Sequence, residues 1–243
     1  MEKVRLFAIL LLGILLLSCE KEDETTDGTG DSINLKRDLA CHFTFDSGNA
    51  NDLSGNGFNG VVSFGAKYVS DTPSGKGSSI SLDGTNEQFI NIPYRIIGDS
   101  VNYTLSIWLK EFGTGALITS ISDNSYRAPS LYVNSDCKFV FNVSDRNYTS
   151  NSDISYLQSG AWHHVVLTAT RKQKNASLYV DGQLFDTKDI SYIGANDSKM
   201  VIGGNGDGHF QAWADPMLID NFRVYRRCLS ASEIQELYKQ EKQ

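Results

Sequence analysis

The feature that most restricts the fold is a succession of short apolar or β-branched runs, broken by clusters of Gly, Asn, Asp and Ser. The runs fall at 40–45, 60–62, 79–82, 89–92, 103–110, 116–122, 130–133, 138–143, 162–170, 177–180, 183–186, 200–203 and 218–225. Strands of this length and spacing predict an all-β, two-sheet antiparallel sandwich or jelly roll. The clearest turn is Asp181-Gly182, set between Leu178-Tyr179-Val180 and Gln183-Leu184-Phe185. Both residues tolerate the positive φ angles of a type I′ hairpin. One helix start stands out. Ser230-Ala231-Ser232-Glu233 fits a capping box, and Ile234, Leu237 and Tyr238 follow at helical spacing. A short amphipathic C-terminal helix is therefore expected, packed on the edge of the sandwich. No internal repeat and no second folded domain is legible.

The first 35 residues read differently. Glu2, Lys3 and Arg5 precede an apolar run from Leu6 to Leu17. Twelve or so residues fall short of the roughly 20 that a spanning helix needs, and match the h-region of a signal peptide. The run ends in Leu16-Leu17-Ser18-Cys19, which resembles a lipobox with a small residue before the cysteine to be acylated. The expected organisation is a lipoprotein signal peptide at 1–18, a lipidated Cys19 opening a flexible acidic tether over 19–35, and the folded domain over 36–243. A lipidated chain is anchored to a membrane, not threaded through it, and stable anchoring takes more than one acyl chain. Glu20-Lys21-Glu22-Asp23-Glu24 resembles the export signal of Bacteroidetes-type lipoproteins, which implies an outer membrane location facing outward. A plain solvated spacer is the alternative reading of that acidic run.

Charge and cysteines narrow the partners. The chain carries a formal −7, and the leader holds one net positive charge, so the remainder stands at −8. An acidic surface argues against nucleic acid or anionic lipid as a partner. Apart from Cys19, the cysteines are Cys41, Cys137 and Cys228, an odd number at spacings that match no zinc site. Each lies in an apolar or strand-like stretch, where a free thiol packs as a small hydrophobe. A Cys41–Cys228 bridge stays open if the first and last strands are neighbours.

Five segments in order resemble a known family. They are Phe43-Thr44-Phe45-Asp46 with Asn51 to Gly60, then Tyr103 to Lys110, then Gly160-Ala161-Trp162-His163-His164-Val165-Val166-Leu167-Thr168. Leu178 to Gly182 and Ile219 to Ser230 complete the series. Together they are similar to laminin-G-like, concanavalin A-like lectin/glucanase jelly rolls over 39–238. The resemblance implies that fold, but not one function, because the fold hosts lectins, adhesion modules, glycosidases and lyases. It also implies Ca²⁺ near the paired first and last strands, at Asp46, Asn51, Asp52 and Asp220. Ca²⁺ takes six to eight oxygens at about 2.3–2.6 Å, and carboxylates and amides supply them. The alternative for Asp52 and Asn56 is hydrogen bonding within turns.

The remaining polar and aromatic residues divide into packing and binding groups. His163 and His164 are adjacent on a strand and point to opposite faces, so they cannot share a metal, and His42 stands alone. Trp108 lies on the more polar face of its strand, and packing under loops or the helix is favoured over a sugar groove. Trp162 is expected in the core. Binding residues concentrate in loops, and the segment 203–217 holds Asp207, His209, Phe210 and Trp213. An aromatic plate beside carboxylates and amides is what carbohydrate recognition needs. Asp123, Tyr126 and Arg127, and Arg146 with Tyr148, offer the same chemistry in two further expected loops.

Catalytic patterns are missing. A retaining glycosidase needs two carboxyls about 5–5.5 Å apart, and strand glutamates are nearly absent. The lyase motifs, a nucleophile elbow and a phosphate loop are absent too. The expected function is a non-catalytic surface lipoprotein with a lectin-like domain that binds carbohydrate. An adhesion module binding an envelope protein, and a degenerate glycan hydrolase or lyase, are the alternatives.

Overall fold

The computed structural model describes residues 33–84, 88–98, 102–122, 125–143, 146–158, 160–193, 199–204 and 214–243, with only the backbone of 121–122 and 125–128. The strands are β1 (Leu39–Phe43), β2 (Val61–Val62), β3 (Lys67–Val69), β4 (Ser79–Leu82), β5 (Ile90–Ile92), β6 (Asn102–Lys110), β7 (Gly115–Ser122) and β8 (Ser125–Val133). They continue as β9 (Phe139–Asn142), β10 (Asn147–Thr149), β11 (His163–Thr170), β12 (Asn175–Val180), β13 (Gln183–Asp189), β14 (Lys199–Ile202) and β15 (Met217–Tyr225). A single α-helix among the described residues, α1 (Ala231–Glu241), closes the series.

Two antiparallel sheets result, as the run lengths predicted. The eight-stranded sheet runs β13-β12-β11-β6-β15-β4-β3, with β1 also on β15. The seven-stranded sheet runs β10-β9-β8-β7-β14-β5-β2. Their inner faces share one core. Phe43, Leu105, Ile107, Leu109, Leu167, Ile219 and Phe222 from the larger sheet meet Ile90, Ile92, Leu131, Phe139, Phe141 and Ile202 from the smaller. Each such side chain taken fully out of water contributes about 1.5–3 kcal/mol.

The larger sheet is buried on both faces along β6, β11 and β12. Its second face is covered by α1, which lies on the sheet rather than at its edge as the sequence suggested. Val166, Tyr179 and Tyr225 from the sheet pack with Leu229, Ile234 and Leu237 in a smaller second core. The capping box forms as read: the Ser230 side chain accepts from the Glu233 N–H, and the Glu233 side chain accepts from the Ser230 N–H. The hairpin turn also forms, with φ of 50° at Asp181 and 76° at Gly182.

Under the last turn of α1 sits Trp108, which is fully buried and so packs as expected. Its ring stacks on His164 at 5.1 Å and on Tyr238 at 5.5 Å between centroids. Its indole N–H donates to Glu241 Oε2 at 2.7 Å, and Arg223 Nε donates to Glu241 Oε1 at 2.6 Å. Ser106 Oγ and His164 Nε2 are 2.7 Å apart in the same layer. Burial, reinforced by Arg223, pushes the His164 imidazole down to about 3, so it stays neutral.

Three departures from the sequence reading have physical causes. β3 and β10 are three-residue edge strands, too short to show an alternating pattern. β8 reaches back to Ser125, past Pro129, and the register with β7 shifts between Ile118 and Ser120 opposite that proline. A residue without an N–H is tolerated at such an irregularity. Finally, Cys41 and Cys137 are free thiols, so no Cys41–Cys228 bridge exists. β1 and β15 are neighbours, but Cys41 lies opposite Val224 within the ladder, whereas Cys228 follows the end of β15.

Trp108→Ala should lower the unfolding free energy by about 3–5 kcal/mol, as for other buried tryptophans. Trp108→Phe keeps an aromatic ring but strips Glu241 of a donor, and should lower it by about 1–3 kcal/mol. Urea denaturation measures both; a loss near zero in Trp108→Phe would mean that the indole N–H contributes nothing.

Candidate functional site

The site begins with an irregularity in β15. β6 flanks this strand along one side. On the other side β4 pairs with Met217–Ile219, and β1 takes over from Phe222 to Tyr225. At the changeover the register shifts between Asp220 and Arg223, and Asn221 adopts a φ of 44°. Two strands laid end to end leave a gap in the ladder, and the bulge turns polar side chains towards it.

The result is a notch of about 360 Å³, at the small end of the range for ligand pockets. Asp220, Asn221 and Arg223 come from β15, and His42, Thr44 and Asp46 from β1 and its exit. The loop between β3 and β4 adds Ser74, Lys76 and Gly77, and the last turn of α1 adds Gln240 and Glu241. Asp46 Oδ1 accepts from the Ser78 N–H at 2.9 Å. Gly77, at φ +80°, is required there, since a Cβ would lie 1.9 Å from that oxygen.

The electrostatics of the notch are mixed. Asp220 is only 3% exposed, and its Oδ1 accepts from the Asn221 N–H at 2.7 Å. Burial pushes its carboxyl up to about 8, with Asp46 and Glu241 adding to the rise. Burial holds the His42 imidazole down near 3, helped by Arg223. At neutral pH the floor is therefore a protonated carboxyl and a neutral imidazole, with Lys76 and Asp46 of opposite sign at the walls.

The four residues expected to hold Ca²⁺ are not gathered. Asp46 and Asp220 share the notch, but Asn51 and Asp52 do not line it. The Asp52 carboxylate closes the glycine-rich loop, accepting from the N–H groups of His42, Ser54 and Phe58 and from Ser54 Oγ at 2.8–3.0 Å. Those bonds hold it below the usual carboxylate range, against the opposing effect of burial. Asn56 ties the same loop to Leu39 and Ala40. Among the described residues no three His, Cys, Asp or Glu side chains cluster as a metal would need. Asp46, Asp220 and Glu241 stand beside Lys76 and Arg223, and Glu241 is taken up by Trp108 and Arg223, so the lining does not offer a six-to-eight-oxygen cation shell.

The expected loop residues fare variously. Cys19, Asp123, Asp207, His209, Phe210 and Trp213 lie outside the described residues. Tyr126 and Arg127 belong to strand β8 rather than a loop. Tyr148 sits on edge strand β10, opposite Phe141, and stacks on that ring at 5.8 Å against the core. Its partner in that reading, Arg146, is exposed.

A second cluster was missed because Trp162 was assigned to the core. The ring is instead half-buried, in neither apolar cluster. Its Nε1–H donates to Asp71 Oδ1 at 2.7 Å, and Lys110 Nζ donates to Asp71 Oδ2 at 2.5 Å. The Lys110 bond is the main reason that the Asp71 carboxyl sits below its ordinary range. A carboxylate 91 positions away from the indole it holds gives no local signal.

With this geometry in place, comparison with known proteins settles the family. The family model of the concanavalin A-like lectin/glucanases matches residues 83–235. The chain belongs to the concanavalin A-like lectin/glucanase superfamily. It is 26% identical over 235 residues to Paraclostridial mosquitocidal protein 1 of Paraclostridium bifermentans, covering 85% of this chain and 18% of that protein. The solved binding domain of the same protein superposes with a TM-score of 0.67 at 21% identity, over 85% of this chain and 53% of that one. Domain 4 of an extracellular GH43 arabinanase from Geobacillus stearothermophilus, solved with arabinotriose, gives 0.63 at 19% identity, over 82% and 98%. The chain thus spans under a fifth of the toxin relative and about half of its binding domain.

Asp220 makes the pH dependence testable. Its folded value of about 8 lies above the ordinary 3.8, so its contribution is complete below 3.8 and is lost as pH rises through 8. Wild-type melting temperature should fall between pH 5 and pH 8, and Asp220→Asn should flatten that fall. Parallel curves for the two proteins would remove Asp220 as the cause.

Proposed function

We propose that this chain is a non-catalytic, lectin-like module that binds carbohydrate. It is carried by a lipoprotein anchored through Cys19 and displayed on the outer surface of a bacterial outer membrane. The observation that carries the reading is the notch, found in a member of a lectin/glucanase family. It sets donors and acceptors around one small concavity: Lys76, Gln240 and Asn221 beside Asp46 and Thr44. A sugar hydroxyl both donates and accepts, so such a mixed wall suits it better than a surface of one sign. The arabinotriose seen on the arabinanase domain supports carbohydrate as the ligand class.

Hydrolysis is the second reading, and one observation favours it. Asp220, its carboxyl pushed up by burial, shares the notch with a second carboxyl, Asp46, as a general acid and its partner would. Against it, Asp220 is almost wholly buried, Asp46 is fixed by Ser78 and Gly77, and Glu241 is engaged by Trp108 and Arg223. The similar structure from the mosquitocidal protein is described as a binding domain.

Affinity electrophoresis against a polysaccharide panel that includes arabinan separates these readings. Retention without release of reducing ends is expected. Lys76→Ala should weaken retention about tenfold, the value of one lost charge-assisted bond. Sugar release by wild type that disappears in Asp220→Asn would establish the hydrolase instead. For the anchor, Cys19→Ala should move the protein from the membrane to the soluble fraction, and protease treatment of intact cells should degrade the wild-type protein.

A further inference from the structure

The half-buried Trp162 and the Lys110–Asp71 pair form a second, independent feature on the face of the larger sheet that bears the notch. Trp162 precedes β11, two residues from His164, and Lys110 ends β6, two residues from Trp108. His164 and Trp108 are register partners on that face, so Trp162 and Lys110 lie one step beyond them, roughly 7 Å along the strands. One loop serves both places. Asp71 opens the β3–β4 loop and holds Trp162, while Ser74, Lys76 and Gly77 further along it line the notch. The loop is itself held, since Ser79 Oγ donates to the Asp71 carbonyl.

The chemistry of the cluster is specific. Its indole is pinned by its N–H edge, so little rotamer freedom remains to be lost when something stacks on it. Each Asp71 oxygen accepts one hydrogen bond and retains capacity for another, and the Lys110 ammonium has further donors. Asp71 is 43% exposed and Lys110 18%, so both can be reached from solvent. Their charges cancel, which removes the attraction that an acidic ligand would need.

We infer that Trp162, Asp71 and Lys110 form a stacking subsite for a neutral sugar unit, and that the notch and this platform engage different units of one glycan chain. This rests on the carbohydrate reading above. The ring takes the apolar C–H face of the sugar, while Asp71 and Lys110 take its hydroxyls. The platform acts by preorganisation, and the notch supplies the remaining contacts.

The test is affinity electrophoresis of the wild type, Trp162→Ala, Trp162→Phe and Lys76→Ala. The gels carry neutral polysaccharides (arabinan, xylan, β-glucan, galactomannan) and acidic ones (polygalacturonate, alginate). Trp162→Ala should bind about tenfold more weakly on every neutral gel that retains the wild type, and Trp162→Phe should stay within about threefold, since a ring is kept. Matching melting temperatures would show that the alanine variant is folded; if it unfolds, an Asp71→Asn variant, which removes the charge that holds Lys110 and the indole, carries the comparison and should likewise bind more weakly. Undiminished retention of Trp162→Ala, with Lys76→Ala impaired, would overturn the platform and leave the carbohydrate reading standing. Wild-type retention on acidic gels alone would overturn the neutral-sugar assignment. No retention of the wild type on any gel would sink the carbohydrate reading and the platform with it.

Discussion

A buried carboxylate fastens the C-terminal helix to the larger sheet. Glu241, in the last turn of α1, accepts from the Trp108 indole and from Arg223, so the helix is pinned to β6 and β15 at once. An unpaired charge in that position would be strongly destabilising, whereas a paired one fixes where the helix ends. The stack of His164, Trp108 and Tyr238 then fills the space beneath. With the helix seated, the outer face of the larger sheet becomes a second core, and β6, β11 and β12 are buried on both sides.

The same contact shapes the notch. Its floor is the bulge in β15, and one wall is the helix end that Glu241 secures. Arg223 belongs to both, donating to Glu241 from a position that lines the cavity. The seat of the helix and the lining of the notch therefore draw on one group of side chains. Asp46 and Asp220 sit where acids are expected, beside the first and last strands, and the cavity around them mixes signs.

Sequence patterning disclosed the sandwich because alternation, turn chemistry and a capping box are local. The type I′ turn at Asp181-Gly182 and the box at Ser230 and Glu233 were legible residue by residue, since each motif is satisfied within a few positions. The candidate site was legible only in part. Asp46 and Asp220 could be paired because the family order brings the end strands together. Lys76, Gln240 and Glu241 could not, since loop and helix reach the notch only through packing. Tyr148 was misplaced for the opposite reason: a three-residue edge strand looks like a loop until its partner is known.

Trp162 draws the boundary most clearly. By itself the sequence determined that a tryptophan stands before a strongly apolar strand, in a chain of short strands with one capped helix. Only the tertiary structure decided that this ring stays half in water, held by Asp71, while Trp108 goes under the helix. Local pattern specifies which residues alternate and where the chain turns, because those effects act over a few bonds. Which face of a finished sheet receives a helix, and which is left to solvent, depends on contacts between residues that are distant in the chain.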